Sequence, residues 1–271
     1  MVGARPLRGG DVAASFRVEL SDGSTVFAKT HLSAPPLFFS TEAAGLAWLH
    51  EADAVAVPEV LAHSDDPPFL VLEWIDEDRS TGGAGTEEAF GAALARLHRA
   101  GAPSFGREDR RPTTSRRLPN EPCATWVEFY ATRRLLPLAR LARDAGALDP
   151  TVTAEIESVV ARLDRLVGPS DVPARLHGDP WAGNRLVDTE GTSWLIDPAA
   201  FGGDREFDLA MMRLFGGFGA GCFAAYQRHW PLAEGWERRV PLYQLAPLIT
   251  HAIKFDGGYV GAVSAALSEL T

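Results

Sequence analysis

Two aspartates and one asparagine in the second half of the chain have the residue types and the spacing that phosphoryl transfer requires. Asp179 and Asn184 are five residues apart in a loop that contains proline and glycine, and Asp197 follows the apolar end of a predicted strand. In kinases, an aspartate orients the accepting hydroxyl group, while an asparagine and a second aspartate hold Mg²⁺ on the phosphates. A turn-capping role could explain any one aspartate, but not the whole H-x-D-x-x-x-x-N series with a later aspartate. We therefore predict that Asp179 is the catalytic base and that Asn184 and Asp197 are metal ligands.

Lysine occurs at only two positions, although the chain has 26 basic residues. A codon bias toward arginine explains the total, but it does not explain why Lys29 and Lys254 are exceptions. Lys29 lies at the end of Val26-Phe27-Ala28-Lys29 on a predicted strand, as the phosphate-binding lysine of a kinase does. Glu42, in the first turn of the next predicted helix, is its expected ion-pair partner. Glu51 is a weaker candidate because it lies at the far end of that helix, and Lys254 receives no role.

The elements that must position these residues differ between the two parts of the chain. Apolar patterning and turns in residues 1–75 predict four strands and one helix, which Ser40 caps. Residues 76–85 are acidic and then glycine-rich, as in a linker. The strands are predicted at 12–20, 25–31, 57–63 and 69–75, and the helix at 40–51. Later helices are predicted at 86–100, 125–143, 151–167, 220–229 and 239–270, with a strand–turn–strand segment at 175–198.

This pattern predicts an α+β fold with two lobes. Residues 1–75 would form a small antiparallel β-sheet lobe with one helix, which binds the nucleotide. Residues 76–271 would form a larger, mainly helical lobe that holds the catalytic and acceptor-binding residues.

Two further segments of the first lobe are candidates for contacts with the nucleotide. The pair Gly9-Gly10 would let backbone N–H groups approach a phosphate, although a plain turn is an equally good interpretation. Glu73-Trp74-Ile75 lies at the end of a strand and precedes the linker, where backbone groups could bind an adenine ring. An ordinary buried strand is compatible with the same pattern. Both segments are included among the predicted cofactor-binding residues.

The composition excludes several other classes of protein. The formal net charge is −10, and an acidic chain repels the phosphate backbone of a nucleic acid. No apolar run reaches the roughly 18 residues that a membrane span needs, and the N-terminus has no secretory signal. Cys123 and Cys222 are far apart and indicate neither a zinc site nor a disulfide framework. We expect a cytoplasmic monomer that binds neither nucleic acid nor a membrane.

Longer runs along the chain narrow the prediction to one family. His177-Gly178-Asp179 is common to a whole superfamily, but a later series is more specific. That series consists of Asp197-Pro198-Ala199, Arg205-Glu206-Phe207-Asp208-Leu209-Ala210-Met211 and Leu214-Phe215-Gly216-Gly217-Phe218. With these runs, nearly the whole chain resembles the fructosamine (ketosamine) kinases of the aminoglycoside phosphotransferase and protein-kinase-like superfamily.

The resemblance implies a bilobal protein-kinase-like fold and dependence on ATP and Mg²⁺. It also implies the reaction, which is phosphoryl transfer to the 3-hydroxyl group of a ketosamine, such as a fructosamine or ribulosamine adduct. The phosphorylated adduct then decomposes and frees the amine. Carried over by position, the resemblance gives Lys29, Glu42, Asp179, Asn184 and Asp197 the same roles as the residue types do.

The acceptor site is where the chain departs from the family pattern. The family has a characteristic run before Asn120, and this chain has a different sequence there, at residues 108–113. We expect the loop at 108–120 to shape acceptor binding. Trp126 and Trp181 could frame a sugar ring, although Trp126 belongs to an aromatic stripe that is typical of a core. Arg205 and Glu206 could contact the substrate or stabilise the catalytic loop.

Two alternatives stay open at this point. The same fold could act on another hydroxyl acceptor, such as an aminoglycoside or choline. The chain could also be a nucleotide-binding pseudokinase, but that interpretation needs a defective catalytic set, and each of the five predicted residues is present.

Overall fold

The first part of the protein is a five-stranded antiparallel sheet with one helix. The computed structural model describes residues 2–7, 13–113, 116–170, 172–255 and 257–270. The strands are arranged in the order β1-β2-β3-β5-β4. The elements of this part are β1 (Gly3–Pro6), β2 (Ala14–Glu19), β3 (Thr25–Thr30), α1 (Phe38–His50), β4 (Val60–Asp65) and β5 (Pro68–Glu73). This arrangement confirms the predicted small antiparallel sheet with one helix.

Strand β3 is the central strand of the sheet. A tight turn joins it to β2, and the Ser24 N–H donates to Asp22 Oδ1 over 2.9 Å within that turn. In the register of the sheet, Lys29 on β3 lies opposite Ser15 on β2 and Leu70 on β5. Lys29 is therefore flanked by strands on both sides, and only 8% of its surface is exposed.

Helix α1 begins at Phe38, and the predicted cap by Ser40 is wrong. Ser40 lies inside the first turn of the helix. Asp65, at the end of β4, provides the missing acceptor, since its Oδ1 accepts the N–H groups of Phe39 and Ser40 over 3.1 and 3.3 Å. A carboxylate at a helix N-terminus satisfies free N–H groups and interacts favourably with the helix dipole. The start of α1 is thus set by a residue that is distant in sequence.

Helices make up most of the remaining chain. They are α2 (Ala84–Arg99), α3 (Trp126–Phe129), α4 (Leu136–Asp144), α5 (Pro150–Val160), α6 (Leu163–Leu166), α7 (Arg205–Phe215), α8 (Ala220–His229), α9 (Trp236–Phe255) and α10 (Gly258–Ser268). The part of this region that the structure describes also has four short strands, β6 (Ala174–Leu176), β7 (Arg185–Val187), β8 (Ser193–Leu195) and β9 (Phe201–Gly203). The mainly helical character of this part is as predicted.

A π-helical segment at Tyr130–Leu135 interrupts the helix predicted at 125–143. Pro137 has no N–H group, so the carbonyl oxygen of Arg133 cannot receive the α-helical hydrogen bond from that position. The side chain of Arg134 donates to this oxygen instead, over 2.9 Å. Arg134 lies within the π turn and in the interior, where 3% of its surface is exposed.

The segment 175–198, predicted as strand–turn–strand, contains the hairpin of β7 and β8 and also most of a further strand, β6. Strand β6 pairs with β9, and β7 pairs with β8, both antiparallel. Strands of three residues are too short to show an alternation of apolar residues, and β9 was not predicted for this reason. The two ladders place Asp179 and Asn184 between β6 and β7, and Asp197 between β8 and β9.

Among the described residues, the buried apolar side chains form two clusters. One lies among the later helices and includes Trp126, Phe129 and Leu242. The other joins Leu70 and Leu72 of β5 to residues of α1, α2, α7 and α8. Buried contacts therefore cross residue 75, and the lobe boundary at that position stays a prediction. Among the described residues, no helix is both long enough and apolar enough to cross a membrane.

Candidate active site

Lys29 lies between two carboxylates that come from distant parts of the chain. Its Nζ donates to Glu42 Oε1 of α1 over 2.7 Å and also to Asp197 Oδ1. The central strand, the helix and the loop after β8 thus meet at one ammonium group. The structure brings together these three predicted residues, of which Glu42 is 5% exposed.

Burial and charge act in opposite directions on this group. Burial alone would lower the pKa of Lys29, but the charges of Glu42 and Asp197 outweigh it and raise that pKa above its usual value. Burial raises the pKa of Glu42 to about 7 although Lys29 opposes the shift. Burial would also raise the pKa of Asp197, but the charge of Lys29 lowers it. Lys29 is therefore firmly protonated, and Asp197 is ionised.

Asp197 also has an unusual backbone conformation. Its φ is 54°, in the left-handed region that residues other than glycine rarely adopt. Such a conformation costs about 1–2 kcal/mol and is kept where the surrounding structure requires it. Here it lies two residues after the end of β8 and directly before Pro198, and it places the carboxylate beside Lys29.

Asp179 and Asn184 face each other across the loop between β6 and β7. Asn184 Nδ2 donates to the backbone oxygen of Asp179 over 2.9 Å and to Asp179 Oδ2 over 3.2 Å. Burial, together with the nearby charge of Asp197, raises the pKa of Asp179 to about 8. A carboxylate with a raised pKa is a stronger base, as proton removal from a hydroxyl group requires.

Asp208 of α7 holds the backbone of the catalytic loop. It is fully buried, its Oδ2 accepts the His177 N–H over 2.8 Å, and its Oδ1 accepts the Gly178 N–H over 3.0 Å. The ring of His98, on α2, also faces Oδ2, with Nε2 at 3.3 Å. These contacts give Asp208 a structural role, which is to hold the backbone of the catalytic loop.

His177 connects the two loops that hold the predicted site residues. Its Nδ1 accepts the Asp179 N–H over 3.2 Å, and its Nε2 lies 3.0 Å from the carbonyl oxygen of Ile196. Because Nδ1 accepts a hydrogen bond, it carries no proton in the neutral ring, so Nε2 carries the proton and donates it to that carbonyl oxygen. Burial lowers the pKa of His177, which favours this neutral form. The ring is thus a crosslink next to Asp179 and Asp197.

Gly178 is required by the close approach of these loops. Its φ is +84°, and a Cβ atom at this position would lie 2.3 Å from the backbone oxygen of Ala199. The loop before Asp179 and the segment after Asp197 therefore contact each other backbone to backbone.

The donor set fits a magnesium ion held on phosphates. Asn184 uses its amide N–H₂ group on Asp179, which leaves its side-chain oxygen as an acceptor. Asp197 is ionised, and 41% of its side chain is exposed. Among the described residues there is no group of three or more His, Cys, Asp or Glu side chains that could hold a metal. Mg²⁺ takes only a few ligands from a protein when phosphates supply others, and an aspartate with an asparagine is the pair that kinases use.

Lys254 lies close enough to Asp179 for its charge to oppose the rise in the pKa of that residue. It is at the end of α9, with its Nζ 4.7 Å from the centre of the Phe255 ring. The sequence alone predicted no role for Lys254, although it is one of only two lysines in the chain. Both lysines of the chain therefore act electrostatically on carboxylates of this site.

The predicted acceptor residues do not all lie at the site, and the prediction that Trp126 frames a sugar ring is wrong. Trp126 is 1% exposed and packs against other aromatic rings, so it cannot stack on a sugar. Trp181, two residues after Asp179, is 41% exposed. Its ring is packed edge-on against Phe215, with centroids 6.3 Å apart. The aromatic stripe is therefore core, and Trp181 is the more exposed of the two predicted tryptophans.

Arg205 and Glu206 pack the helices together. Arg205 donates to the carbonyl oxygen of Trp230 over 2.7 Å and stacks on that ring. Glu206 is 5% exposed and forms two hydrogen bonds with Arg239, of 2.6 and 2.7 Å. These contacts support the stabilising interpretation of both residues over a substrate contact.

Three of the remaining cofactor predictions lie at the C-terminal end of β5, an inner strand of the sheet. Strand β5 ends at Glu73, whose Oε2 accepts the N–H of Glu59 over 3.2 Å. The Trp74 indole N–H donates to Asp76 over 2.7 Å, and Ile75 follows Trp74 as the strand ends. The strand predicted at 69–75 thus ends two residues earlier, with Trp74 and Ile75 beyond it, and the contact of the three residues with a nucleotide stays a prediction. Gly9 and Gly10 lie outside the described residues.

Known proteins of one family match this chain along nearly its full length. A family model described as fructosamine kinase matches residues 1–271. A protein of Lactiplantibacillus plantarum named probable ketoamine kinase is 35% identical over 270 residues, which cover 98% of this chain and 93% of that protein. The chloroplastic protein-ribulosamine 3-kinase of Arabidopsis thaliana is 31% identical over 245 residues, which cover 88% and 74%.

Solved structures show the same relationship. The crystal structure of a candidate fructosamine-3-kinase from Thermobifida fusca superposes with a TM-score of 0.91 at 38% identity, covering 99% of this chain and 93% of that one. Aminoglycoside phosphotransferase APH(4)-Ia superposes with a TM-score of 0.67 at 17% identity, covering 99% and 94%. The second likeness confirms the predicted kinase-like fold. Since the family model covers every residue, the chain belongs to the fructosamine kinase family.

Proposed function

We propose that this protein transfers the γ-phosphoryl group of ATP to the 3-hydroxyl group of a ketosamine, such as a fructosamine or ribulosamine adduct. The observation that carries the proposal is the convergence of Lys29, Glu42, Asp179, Asn184 and Asp197, which hydrogen bonds and charge connect. Use of ATP follows from membership of the kinase family. The phosphorylated adduct would then decompose and release the amine.

In the proposed reaction, Asp179 accepts the proton of the acceptor hydroxyl group. The hydroxyl oxygen forms a bond to the γ-phosphorus, the bond from that phosphorus to the bridging oxygen breaks, and ADP leaves. Lys29 binds the phosphates through its ammonium group, and Glu42 keeps that group in place over 2.7 Å. Asn184 and Asp197 would hold Mg²⁺, which neutralises charge on the phosphates.

The division of labour between the two parts of the chain belongs to the same proposal. Residues 1–75 would bind the nucleotide, and residues 76–271 would provide the catalytic loop and the acceptor site. Trp181 is our candidate for the acceptor side, because an exposed indole ring close to Asp179 can pack on the apolar face of a sugar. We expect the protein to act as a monomer.

Phosphate transfer to defined ketosamines tests the proposal. Purified protein is incubated with ATP, Mg²⁺ and either ribuloselysine or fructoselysine, and ADP and the phosphorylated acceptor are measured. We expect ADP in a one-to-one ratio with phosphorylated ketosamine and almost none with Asp179→Asn. An aminoglycoside and choline serve as competing acceptors in parallel reactions. Turnover with either of these and none with a ketosamine, from folded protein, would contradict the proposal.

A further inference from the structure

The loop at 105–113 is firmly attached to the catalytic half of the protein. Gly106 and Gly202 of β9 exchange two backbone hydrogen bonds of 2.8 Å each. The Arg107 N–H donates to the backbone oxygen of Asn120 over 2.7 Å. The buried Arg134 in turn donates to the Asn120 side chain over 2.6 Å. The loop therefore starts from a fixed base.

From this base, Arg107 reaches the segment that follows Asp197. Its guanidinium group is 7% exposed and donates to the backbone oxygen of Ala200 over 3.4 Å. It also lies over the ring of Trp48 on α1, with 5.6 Å to the ring centre. One side chain thus contacts both the segment after Asp197 and the helix that carries Glu42.

Asp109 joins Arg107 to Arg111. It accepts two hydrogen bonds from Arg107, of 2.9 and 2.7 Å, and its Oδ2 lies 3.3 Å from Arg111 Nε. The Arg111 backbone N–H also donates to Asp109, over 3.1 Å. Burial would raise the pKa of Asp109, but both arginines lower it below its ordinary value. The three residues therefore form a charged unit, which we call the 107–111 bridge.

The other end of the bridge lies on the first turn of α1. Arg111 Nη1 donates to Ser40 Oγ over 3.0 Å, and Ser40 precedes Glu42 by two residues. Arg117, in the same loop, donates to the backbone oxygen of Pro36 over 2.7 Å, just before the helix. The loop thus contacts α1 at its start, next to Glu42.

Helix α1 and the segment 198–200 are also in direct contact. A Cβ atom on Gly45 would lie 3.2 Å from Pro198 Cγ. No side chain separates the two surfaces at that point, so a small displacement of one surface changes the distance between Glu42 and Asp197. Those two carboxylates are the ones that Lys29 connects.

We propose that Arg107, Asp109 and Arg111 are positioning residues for phosphoryl transfer, because they join α1 to the segment after Asp197 and so keep Glu42 and Asp197 at the distance that Lys29 spans. The inference rests on the proposed function of the same site. The bridge therefore affects the binding of the nucleotide phosphates by Lys29 and not the binding of the acceptor. A loop expected to shape the acceptor site thereby serves the nucleotide site.

Steady-state kinetics of Arg111→Ala tests the inference. We expect kcat/KM for ATP to fall roughly tenfold while KM for the ketosamine changes less than about twofold, since networks of this kind modulate coupling by about that much. Arg111→Lys keeps one charged donor for Ser40 and is expected to recover part of the loss. Arg110→Ala is the matched control, because Arg110 is exposed in the same loop and forms no side-chain hydrogen bond or ion pair among the described residues. Equal kinetics of Arg111→Ala and Arg110→Ala would overturn the inference.

A double-mutant cycle separates positioning from a merely structural role. If the bridge acts through Glu42, Arg111→Ala has little further effect on ATP kinetics in a Glu42→Gln background. Additive effects would contradict the inference, and so would a change confined to ketosamine KM. The same cycle is run on the Kd of Mg²⁺–ATP by tryptophan fluorescence, which needs no acceptor. Absence of ketosamine turnover in the unaltered enzyme would contradict the proposed function alone, while the Kd cycle still decides on the bridge.

Discussion

At the scale of single residues, the two aspartates of the site differ in their pKa shifts. Burial and the charge of Asp197 raise the pKa of Asp179 to about 8, whereas Lys29 outweighs burial and lowers the pKa of Asp197. When two environments shift the pKa values of neighbouring carboxyl groups in opposite directions, one group is suited to accept a proton and the other stays an anion. Asp179 is thus suited to accept a proton and Asp197 to bind a cation.

Asp179→Asn keeps the shape of the side chain but removes the base. We expect kcat to fall by about 10²–10⁴-fold, because general base catalysis contributes that much, while the Kd of Mg²⁺–ATP changes little. Turnover and nucleotide binding are measured on the same preparation. Asp197→Asn is the contrasting variant, in which nucleotide affinity itself should fall. Unchanged turnover of Asp179→Asn would refute the assignment of the base.

Gly178→Ala tests the contact between the two catalytic loops. The added methyl group would meet the Ala199 oxygen at 2.3 Å, in a backbone conformation with φ +84°. We expect a loss of about 2–5 kcal/mol of unfolding free energy from strain and overpacking together. Gly23→Ala is the matched control, since Gly23 has φ +88° and no atom within 4 Å of the added position. It should lose only about 1–2 kcal/mol, and an equal loss in urea titrations of both variants would contradict the role of the contact.

At the scale of elements, α7 acts as a support for the catalytic loop. Asp208 on this helix accepts two backbone N–H groups of the loop, and His98 of α2 faces the same carboxylate. These contacts bring the catalytic loop, α7 and α2 together around one buried carboxyl group. The orientation of Asp179 thus depends on a helix that does not carry it.

Asp208→Asn should damage both stability and turnover. An amide offers one acceptor oxygen, so its N–H₂ group would face either the His177 N–H, the Gly178 N–H or the His98 ring. We expect a loss of about 3 kcal/mol of unfolding free energy, because a buried donor is left without a partner. Thermal unfolding and kcat are measured together. Full stability and full kcat in this variant would show that the carboxylate is not required.

The sequence predicted most elements but not the contacts between distant ones. Apolar periodicity was sufficient for α8 and for the hairpin of β2 and β3. It could not reveal that Asp65 caps α1, since that cap comes from another strand, and it assigned the cap to Ser40 instead. The π segment depends on Pro137 together with the inward position of Arg134. The spacing typical of kinases predicted which residues meet at Lys29. No sequence pattern predicted the contacts of the 107–111 bridge, because its partners on α1 and after Asp197 are distant in sequence.

At the scale of the whole molecule, one hydrophobic cluster connects the sheet to the later helices. Leu70 and Leu72 of β5 belong to the same cluster as Leu94 of α2 and Tyr226 of α8, each of which is no more than 2% exposed. Separating the sheet from the helices would expose these side chains to water. Such exposure is costly, at about 1.5–3 kcal/mol for a large apolar side chain.

The protein should therefore unfold in one cooperative step. We expect far-ultraviolet circular dichroism and tryptophan fluorescence to give coincident urea transitions with a single midpoint. Five of the seven tryptophans lie beyond residue 75, while circular dichroism reports on all elements. Two separated transitions would show that the sheet and the helices are independently stable.

The cap that Asp65 provides for α1 also limits how this protein can vary. Asp65 is the last residue of β4, and only Asp66 and Pro67 separate it from β5. Exposed turns ordinarily tolerate insertions, epitope tags and circular permutation. Here an insertion would move the carboxylate away from the N–H groups of Phe39 and Ser40 and would loosen the helix that carries Glu42. A short hairpin turn on the outside of the sheet is thus a poor place to lengthen this chain.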